Sequence, residues 1–393
     1  MIPPDATVVM ARYGDVGVKS SQVRRRMERQ LRSNIEALLD DRGIEGTVTA
    51  KSARVWIDTD RASLEAATAA ASDAFGVVSA SPARRVQATM DAILDGLRET
   101  ADAHYSAGSF AIRARRAGPP ESHPFRSADI ERRGGAAVWE AVEDEFEPTV
   151  DLDRPDVEFF VECRKDSAYV FLEKRPGPGG LPLGSQAPLV TLISGGIDSP
   201  VAAWLSMKRG SPIIPVYFDF GKFGGQDHVA RATSAIGMMG EYAPNFDCRP
   251  RIVPAGPAAE RLVEAVGNTR MLSLRRFMLR VASRVAADTD AAGVVVGESL
   301  GQKSSQTATN MATTDPAIDL PVHRPLLGYD KQEIIDMARE IGTYEEATIP
   351  AGCNRIAPTH PATAASLDRV ADAEPDLEPL VTAATDGIEI VDP

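Results

Sequence analysis

Cysteine is almost missing: Cys163, Cys248 and Cys353 are the only three in 393 residues, and they lie far apart. That spacing excludes a disulfide framework and a paired-cysteine metal motif. No stretch approaches the roughly 18 uninterrupted apolar residues of a spanning helix, so no membrane partner is expected. The start, Met1-Ile-Pro-Pro-Asp5, has no basic region ahead of an apolar one, which argues against a secretory signal and for a cytoplasmic location. Lysine is scarce too, 8 against 35 arginines, within a net charge of −13. An acidic, lysine-poor surface suits a salt-rich cytosol, and a halophilic source is expected on that ground. Net negative charge argues against nucleic acid, yet residues 1–182 hold 25 of the 43 basic residues. Local clustering decides RNA electrostatics, and here it points the other way.

What is present centres on Pro188-Leu-Val-Thr-Leu-Ile-Ser-Gly-Gly-Ile-Asp-Ser-Pro200. Leu189 to Ile193 predict a buried strand of a parallel sheet. Ser194-Gly195-Gly196 predict a tight turn, and Pro200 suits the first turn of a helix reaching Met207. Glycines admit a ligand close to the backbone, the helix start offers unpaired N–H groups, and Ser194 and Ser199 add hydroxyls. The pattern predicts a phosphate cradle. It is not the common P-loop, which carries a lysine for the outer phosphates. Instead Asp198 sits inside the loop. A carboxylate beside phosphates is repelled unless Mg²⁺ bridges them, so Asp198 is the candidate metal-facing residue. Ser-Gly-Gly-x-Asp-Ser resembles the loop of ATP pyrophosphatases, which cut between the α- and β-phosphates.

Along the chain, strand Thr7–Arg12 leads to a helix over 21–39 with Val23, Met27, Leu31, Ile35 and Leu38 on one stripe. Strands near 46–52 and 54–58, an alanine-rich helix over 64–75 and a strand over 77–80 complete a β-α-β-β-α-β order. That order is ferredoxin-like and spans 1–82. A second unit, 83–175, holds a helix, the strand Ser109–Arg116 with basic alternation, a helix over 128–146 and two closing strands. Residues 176–187 read as a Pro/Gly linker. From 188 to 362 strands and helices alternate, which predicts a doubly wound α/β domain with a parallel sheet. Residues 363–393 form an acidic tail expected to be loosely ordered in part.

Ligands of such sheets sit beyond the strand carboxyl ends. Besides the glycine corner, Tyr217-Phe218-Asp219-Phe220 ends a strand, where rings and backbone either hold an adenine or fill core. Gly297-Glu-Ser-Leu-Gly-Gln-Lys-Ser-Ser-Gln-Thr307 is donor-rich beyond the needs of a plain loop. Arg324 in His323-Arg-Pro-Leu326 suits either phosphate or a structural ion pair. Arg275 and Arg276 share one helix, where either one of them faces the nucleotide or both are solvated surface arginines. Cys353 lies in a Gly/Pro loop with Arg355 nearby, a setting that favours reactivity. Cys163 reads as structural, and Cys248 stays ambiguous.

These segments, in this order, resemble the tRNA 4-thiouridine synthetase family over residues 7–362. The resemblance rests on Arg12-Tyr-Gly-Asp with Lys19, Phe75-Gly-Val, the glycine corner, Arg275-Arg276-Phe-Met, the 297–307 run, Arg324-Pro-Leu and Asp330-Lys331. It implies a ferredoxin-like domain, an RNA-binding THUMP domain and a PP-loop ATP pyrophosphatase domain. It implies nucleotide contacts at Leu192, Ile193, Tyr217, Phe218, Arg275, Gly297 and Gln306, joining Ser194, Gly195, Gly196 and Ser199. Asp198 and Cys353 match the loop aspartate and the sulfur-transfer cysteine. The implied cofactors are ATP and Mg²⁺, and the implied partner is tRNA, modified at position eight. RNA contacts are expected from Arg24, Arg25, Arg29, Arg113, Arg115, Arg116, Arg126 and Arg132. A sulfur donor is also required, a cysteine desulfurase persulfide or sulfide, and a homodimer is left open. The chain stops short of the rhodanese domain some members carry. Met271 and Leu274 stand where certain archaeal members have Cys-x-x-Cys, so an iron–sulfur cluster is not expected. A second role, sulfur delivery to a carrier protein for thiazole synthesis, is also implied. The alternatives are another adenylating PP-loop enzyme, such as a different tRNA thiolase, and a nucleotide-regulated tRNA-binding protein.

Overall fold

The computed structural model describes residues 1–118, 122–224, 226–303, 305–345 and 355–392. The chain divides into two compact units, Met1–Pro182 and Leu183–Pro393.

The first unit begins with β1 (Val8–Tyr13), α1 (Ser21–Asp41), β2 (Thr47–Lys51), β3 (Arg54–Asp58), α2 (Leu64–Asp73) and β4 (Val77–Gln87), the ferredoxin-like order. It continues with α3 (Met90–His104), β5 (Ser109–Arg116), α4 (Ser127–Val142), β6 (Thr149–Val150), β7 (Val157–Cys163), β8 (Ser167–Phe171) and β9 (Arg175–Pro176). All nine strands share one sheet, ordered β2-β3-β1-β4-β8-β7-β5-β6 with β9 also on β4. Strand β4 joins the halves: its residues up to Ala83 pair with β1, and Arg84 to Gln87 pair with β8. Each half has its own core, Met27, Leu31, Ile35 and Leu38 in the first and Ile93, Leu97, Ile130 and Val138 in the second. Val23, expected on the α1 stripe, is exposed at the start of the helix, beyond the edge of that core.

In β1, Val9 and Ala11 face the first core, while Val8 and Met10 join Trp56, Phe160, Tyr169 and Phe171 in another cluster. That is why Val8–Ala11 is apolar throughout rather than alternating. The cluster unites strands of both halves, with Trp56 stacked on Tyr169 at 4.3 Å between ring centres.

The second unit comprises β10 (Leu189–Leu192), α5 (Asp198–Lys208), β11 (Ile213–Asp219), α6 (Gln226–Gly240), β12 (Arg251–Pro254), α7 (Gly256–Ala265) and α8 (Arg270–Asp288). Then follow β13 (Val294–Val295), α9 (Ala308–Thr314), β14 (Val322–His323), α10 (Lys331–Glu340), α11 (Leu367–Ala373), α12 (Glu378–Asp386) and β15 (Glu389–Ile390). The sheet order is β14-β13-β10-β11-β12-β15. Every pairing is parallel except that of β15 on β12. The chain winds from β10 to one side, then crosses to β13 on the other, so the winding reverses at β10.

Two expectations are corrected. The Pro/Gly stretch after 175 is not a free linker at its start: Arg175 and Pro176 pair with Ala80 and Ser79, and Leu181 is buried in the first core. The acidic tail is folded rather than loosely ordered. Leu377, Val381 and Ala384 enter the core of the second unit, and β15 pairs with β12. Its acidic residues had masked that apolar spacing.

Candidate functional site

The glycine corner lies at the carboxyl end of β10, at the reversal of the sheet. Ser194 and Ser199 clamp it: Ser194 N donates to Ser199 Oγ at 2.8 Å, and the two hydroxyls meet at 3.0 Å. Gly196 N donates to Ser194 Oγ at 3.3 Å. Helix α5 starts at Asp198 after Ile197, which offers no side-chain acceptor. Its first N–H groups therefore lack a side-chain cap and carry the positive end of the helix dipole.

Gly297, after β13, backs onto this helix start. A Cβ there would lie 2.8 Å from Ser199 N and Cα and 3.0 Å from Asp198 C. Those are backbone atoms and cannot swing aside. Gly297→Ala is expected to lower unfolding free energy by about 1–3 kcal/mol, read from the denaturant midpoint.

The corner opens on a cavity of about 570 Å³. Leu192, Phe220, Met271, Leu274 and Met278 give it an apolar side; Ser194, Gly196, Asp198, Ser199, Arg275, Gly297, Glu298 and Gln306 give it a polar one. Among the described residues, the carbonyl oxygen of the buried Gln306 side chain has no hydrogen-bond partner. An unpaired buried acceptor at a cavity wall calls for a donor from a ligand.

Three carboxylates organise the cations here. Lys331 Nζ, at the start of α10, donates to Asp198 Oδ1 at 2.8 Å. With its amide turned to satisfy both neighbours, Gln302 donates to Asp198 Oδ2 at 3.2 Å and accepts from Lys331 Nζ at 2.9 Å. Glu298 holds Arg275 Nε at 2.8 Å and Arg324 Nε at 2.9 Å. Asp315 takes the other end of Arg324, at 3.0 and 2.6 Å. Burial alone would lower the Arg324 guanidinium; Asp315 and Glu298 overcome it and hold the group above its ordinary value. Arg324 is thus an ion-pair residue on the cavity wall, the second of the two readings left open from sequence.

Of the helix pair, Arg275 faces the cavity and also donates to Ser305 O at 3.0 Å. Arg276 is buried elsewhere, on Glu374 at 3.0 Å and Thr313 O at 3.0 Å. Leu192, Ile193, Ser194, Gly196, Ser199, Gly297 and Gln306 all line the cavity. Gly195 faces away, toward His228 and Arg231 of α6. Tyr217 and Phe218 are buried in the sheet, Phe218 edge-on to Phe277 at 6.2 Å between ring centres, and it is Phe220 that reaches the cavity. Cys353 lies outside the described residues. Ala357 and Pro361, a few positions later, line the same cavity. Burial pushes the thiols of Cys163 and Cys248 up to about 11, so both are packing residues.

Phe220, Glu298 and Lys331 lie in stretches quoted from the sequence, but none of the three was named individually as a site residue. A clue to Lys331 was local: Asp330-x-x-Glu333 is a capping box that fixes where α10 begins.

In the first unit the expected RNA contacts divide. Arg25, Arg29, Arg115, Arg126 and Arg132 are exposed. Arg25 and Arg29 line a groove with Gln22, Arg32 and Ala50, and Arg132 lines another on α4 beside Trp139. Arg24 lies 4.0 Å from Glu28, and Arg113 pairs with Glu158 at 2.8 Å. Arg116 turns inward and donates to Phe125 O at 2.8 Å. A separate cluster surrounds the buried Glu162: Arg164 Nε at 2.8 Å, Arg54 Nη2 at 3.2 Å and Arg12 Nε at 3.8 Å.

A doubly wound sheet whose reversal opens on an anion cradle is the architecture of α/β proteins that handle phosphorylated ligands. Similarity to known proteins narrows that class. Residues 184–378 match the family model "Thiamine biosynthesis protein (ThiI)", residues 87–173 the THUMP domain, and residues 8–81 the ThiI ferredoxin-like domain. A probable tRNA sulfurtransferase of Halobacterium salinarum is 56% identical over 376 residues, 96% of this chain and 95% of that one. Its counterpart in Methanosarcina acetivorans is 40% identical, over 98% and 93% of the two chains. A crystal structure of a 4-thiouridine synthetase–RNA complex with bound ATP superposes with a TM-score of 0.84 at 28% identity, covering 98% of this chain and 99% of that one. The chain belongs to the tRNA sulfurtransferase family, a family of enzymes. Among the described residues no helix is long and apolar enough to cross a membrane.

Proposed function

We propose that this chain is an ATP-dependent tRNA sulfurtransferase that converts the uridine at tRNA position eight to 4-thiouridine. The observation that carries the reading is the Asp198-bearing, lysine-free glycine corner opening on a cavity with an unpaired acceptor at Gln306. ATP fits it: adenine against Leu192, Phe220, Met271 and Met278, and phosphates at Ser194, Gly196, Ser199 and the start of α5. Mg²⁺ offsets the charge of the phosphates when bound, and Asp198 is the carboxylate that would face it.

Two steps follow. O4 of the uridine attacks the α-phosphorus, and pyrophosphate leaves. Sulfur then displaces AMP from C4: sulfide does so directly, whereas a persulfide on Cys353 attacks through its outer sulfur and leaves a Cys353–S–S–C4 link, which a second thiol cleaves to free 4-thiouridine and ends as a disulfide. A uracil carbonyl oxygen is a poor leaving group, whereas AMP is a good one. The cradle supports charge developing on pyrophosphate, and Lys331 keeps Asp198 aimed along the cavity. The ferredoxin-like region 1–82 and the THUMP region 83–175 grip tRNA by shape and phosphates, with the exposed arginines of α1 and β5 the main contacts. Residues 188–362 carry the chemistry.

The test is pyrophosphate release that depends on added tRNA, with nucleoside mass spectrometry of tRNA from a deletion strain. Release of phosphate instead of pyrophosphate, or unchanged 4-thiouridine in the knockout, overturns the proposal.

A further inference from the structure

Two walls of the cavity come from stretches far apart in sequence. Ser305 and Gln306 precede α9; Ala357 and Pro361 belong to the stretch from Arg355 onward. Asn310, fully buried in α9, spans the gap. Its amide donates to Ser305 O at 3.2 Å and to Ala362 O at 2.9 Å, and its carbonyl accepts from Ala365 N at 3.1 Å. Thr307 makes a parallel link: its hydroxyl donates to Thr363 O at 2.7 Å and accepts from Asn310 N at 3.2 Å. The first wall is independently fixed by Arg275 on Ser305 O. The second is held as well by Arg270 Nη1 on Ile356 O at 3.1 Å and by Ala362 N on Asn268 O at 2.9 Å.

We propose that Asn310 and Thr307 are positioning residues that lock the 355–365 wall against the nucleotide loop and so keep water from the adenylated uridine. The proposal rests on the function proposed above. A buried asparagine whose amide and carbonyl are all paired costs nothing in place and is expensive to break. Loss of the link lets the 357–365 stretch move away from the nucleotide loop, which Arg275 holds. Water then reaches the α-phosphorus: its oxygen bonds to phosphorus, the O4–phosphorus bond breaks with its electron pair restoring the uracil C4 carbonyl, one water proton goes to N3 and the other to solvent. The products are unmodified uridine and AMP, so ATP is consumed without gain. Neither residue touches reacting atoms; both act through the wall.

The experiment measures pyrophosphate release by the full chain with ATP, Mg²⁺ and unmodified tRNA, and no sulfur donor. The wild type is expected to give a burst followed by slow turnover, because the adenylated base is protected. Asn310→Ala and Thr307→Val are expected to keep the burst and raise the later rate by about tenfold. Thr307→Ser, which restores the hydroxyl, should return it to the wild-type rate. A merely structural defect lowers the burst and does not speed the slow phase. Both variants releasing pyrophosphate at the wild-type slow rate, or Thr307→Ser behaving as valine does, overturns the proposal. A wild type with no tRNA-dependent burst defeats instead the function on which it rests.

Discussion

Asp198→Ala is expected to slow tRNA-dependent pyrophosphate release by about 10³-fold or more, while tRNA affinity changes by less than about twofold. The carboxylate is the first residue of α5, beside the corner, and its oxygens are held by Lys331 and Gln302. It is therefore aimed before ligand arrives, which avoids reorganisation during reaction. Removing it takes away the carboxylate that lines the cavity beside the glycine corner, where the phosphates are proposed to bind, and it leaves the Lys331 ammonium without that anion. Asp198→Asn separates charge from shape. The amide keeps an acceptor for Lys331, yet it cannot face a metal–phosphate complex as a carboxylate does. The loss should be nearly as deep. A near-normal rate for Asp198→Asn would remove charge from the account. Filter binding at fixed ionic strength reads the affinity, because phosphate contacts depend on salt.

Glu162→Gln is expected to lower the stability of the first unit by about 3–5 kcal/mol, seen as an earlier far-UV transition in denaturant. The carboxylate sits in β7 and meets Arg12 of β1 and Arg54 of β3, so it ties the two halves of the nine-stranded sheet. Desolvation alone would raise its pKa. The pull of Arg54, Arg164 and Arg12 wins, and the group titrates below the ordinary 4.5. Burial conversely pushes the Arg12 guanidinium down to about 10, with Arg54, Arg164 and Arg115 opposing its charge and Glu162 supporting it. Without the carboxylate, three buried or half-buried cations face one another unpaired. The pH dependence has a definite sign. A depressed folded-state pKa contributes stability that is complete above 4.5 and fades as pH falls through the folded value. Acid titration should therefore narrow the gap between wild type and Glu162→Gln. A gap that stays constant from neutral pH to below the folded value would contradict this electrostatic origin.

The glycine corner was legible because it is local: strand, loop and helix occupy 189–208, and each position states its own requirement. Lys331 was not, since its partner lies 133 residues away and only the fold joins them. The aromatic strand end shows the limit of pattern. Tyr217, Phe218 and Phe220 look alike in sequence and are all buried, and packing alone leaves Phe220 also lining the cavity. Strand β4 was expected over 77–80 only, although it runs to Gln87. Pro82 pairs with Val9 one residue before the strand's last partner in β1, where the sheet passes to its second half. In the tail, eight acidic residues after 361 hid the spacing of Val370, Leu377, Val381 and Ala384.

The pairing of β15 with β12 has a consequence for how the protein comes into being. Val190 and Val381 share one core, so the nucleotide-handling half cannot close until ribosomes have read past residue 390. Until then β12 presents a bare edge, open to wrong partners. The first unit, proposed to grip tRNA, is complete by residue 182 and is free to fold during synthesis. Nascent chains stalled between these points should bind RNA while still unable to burn ATP.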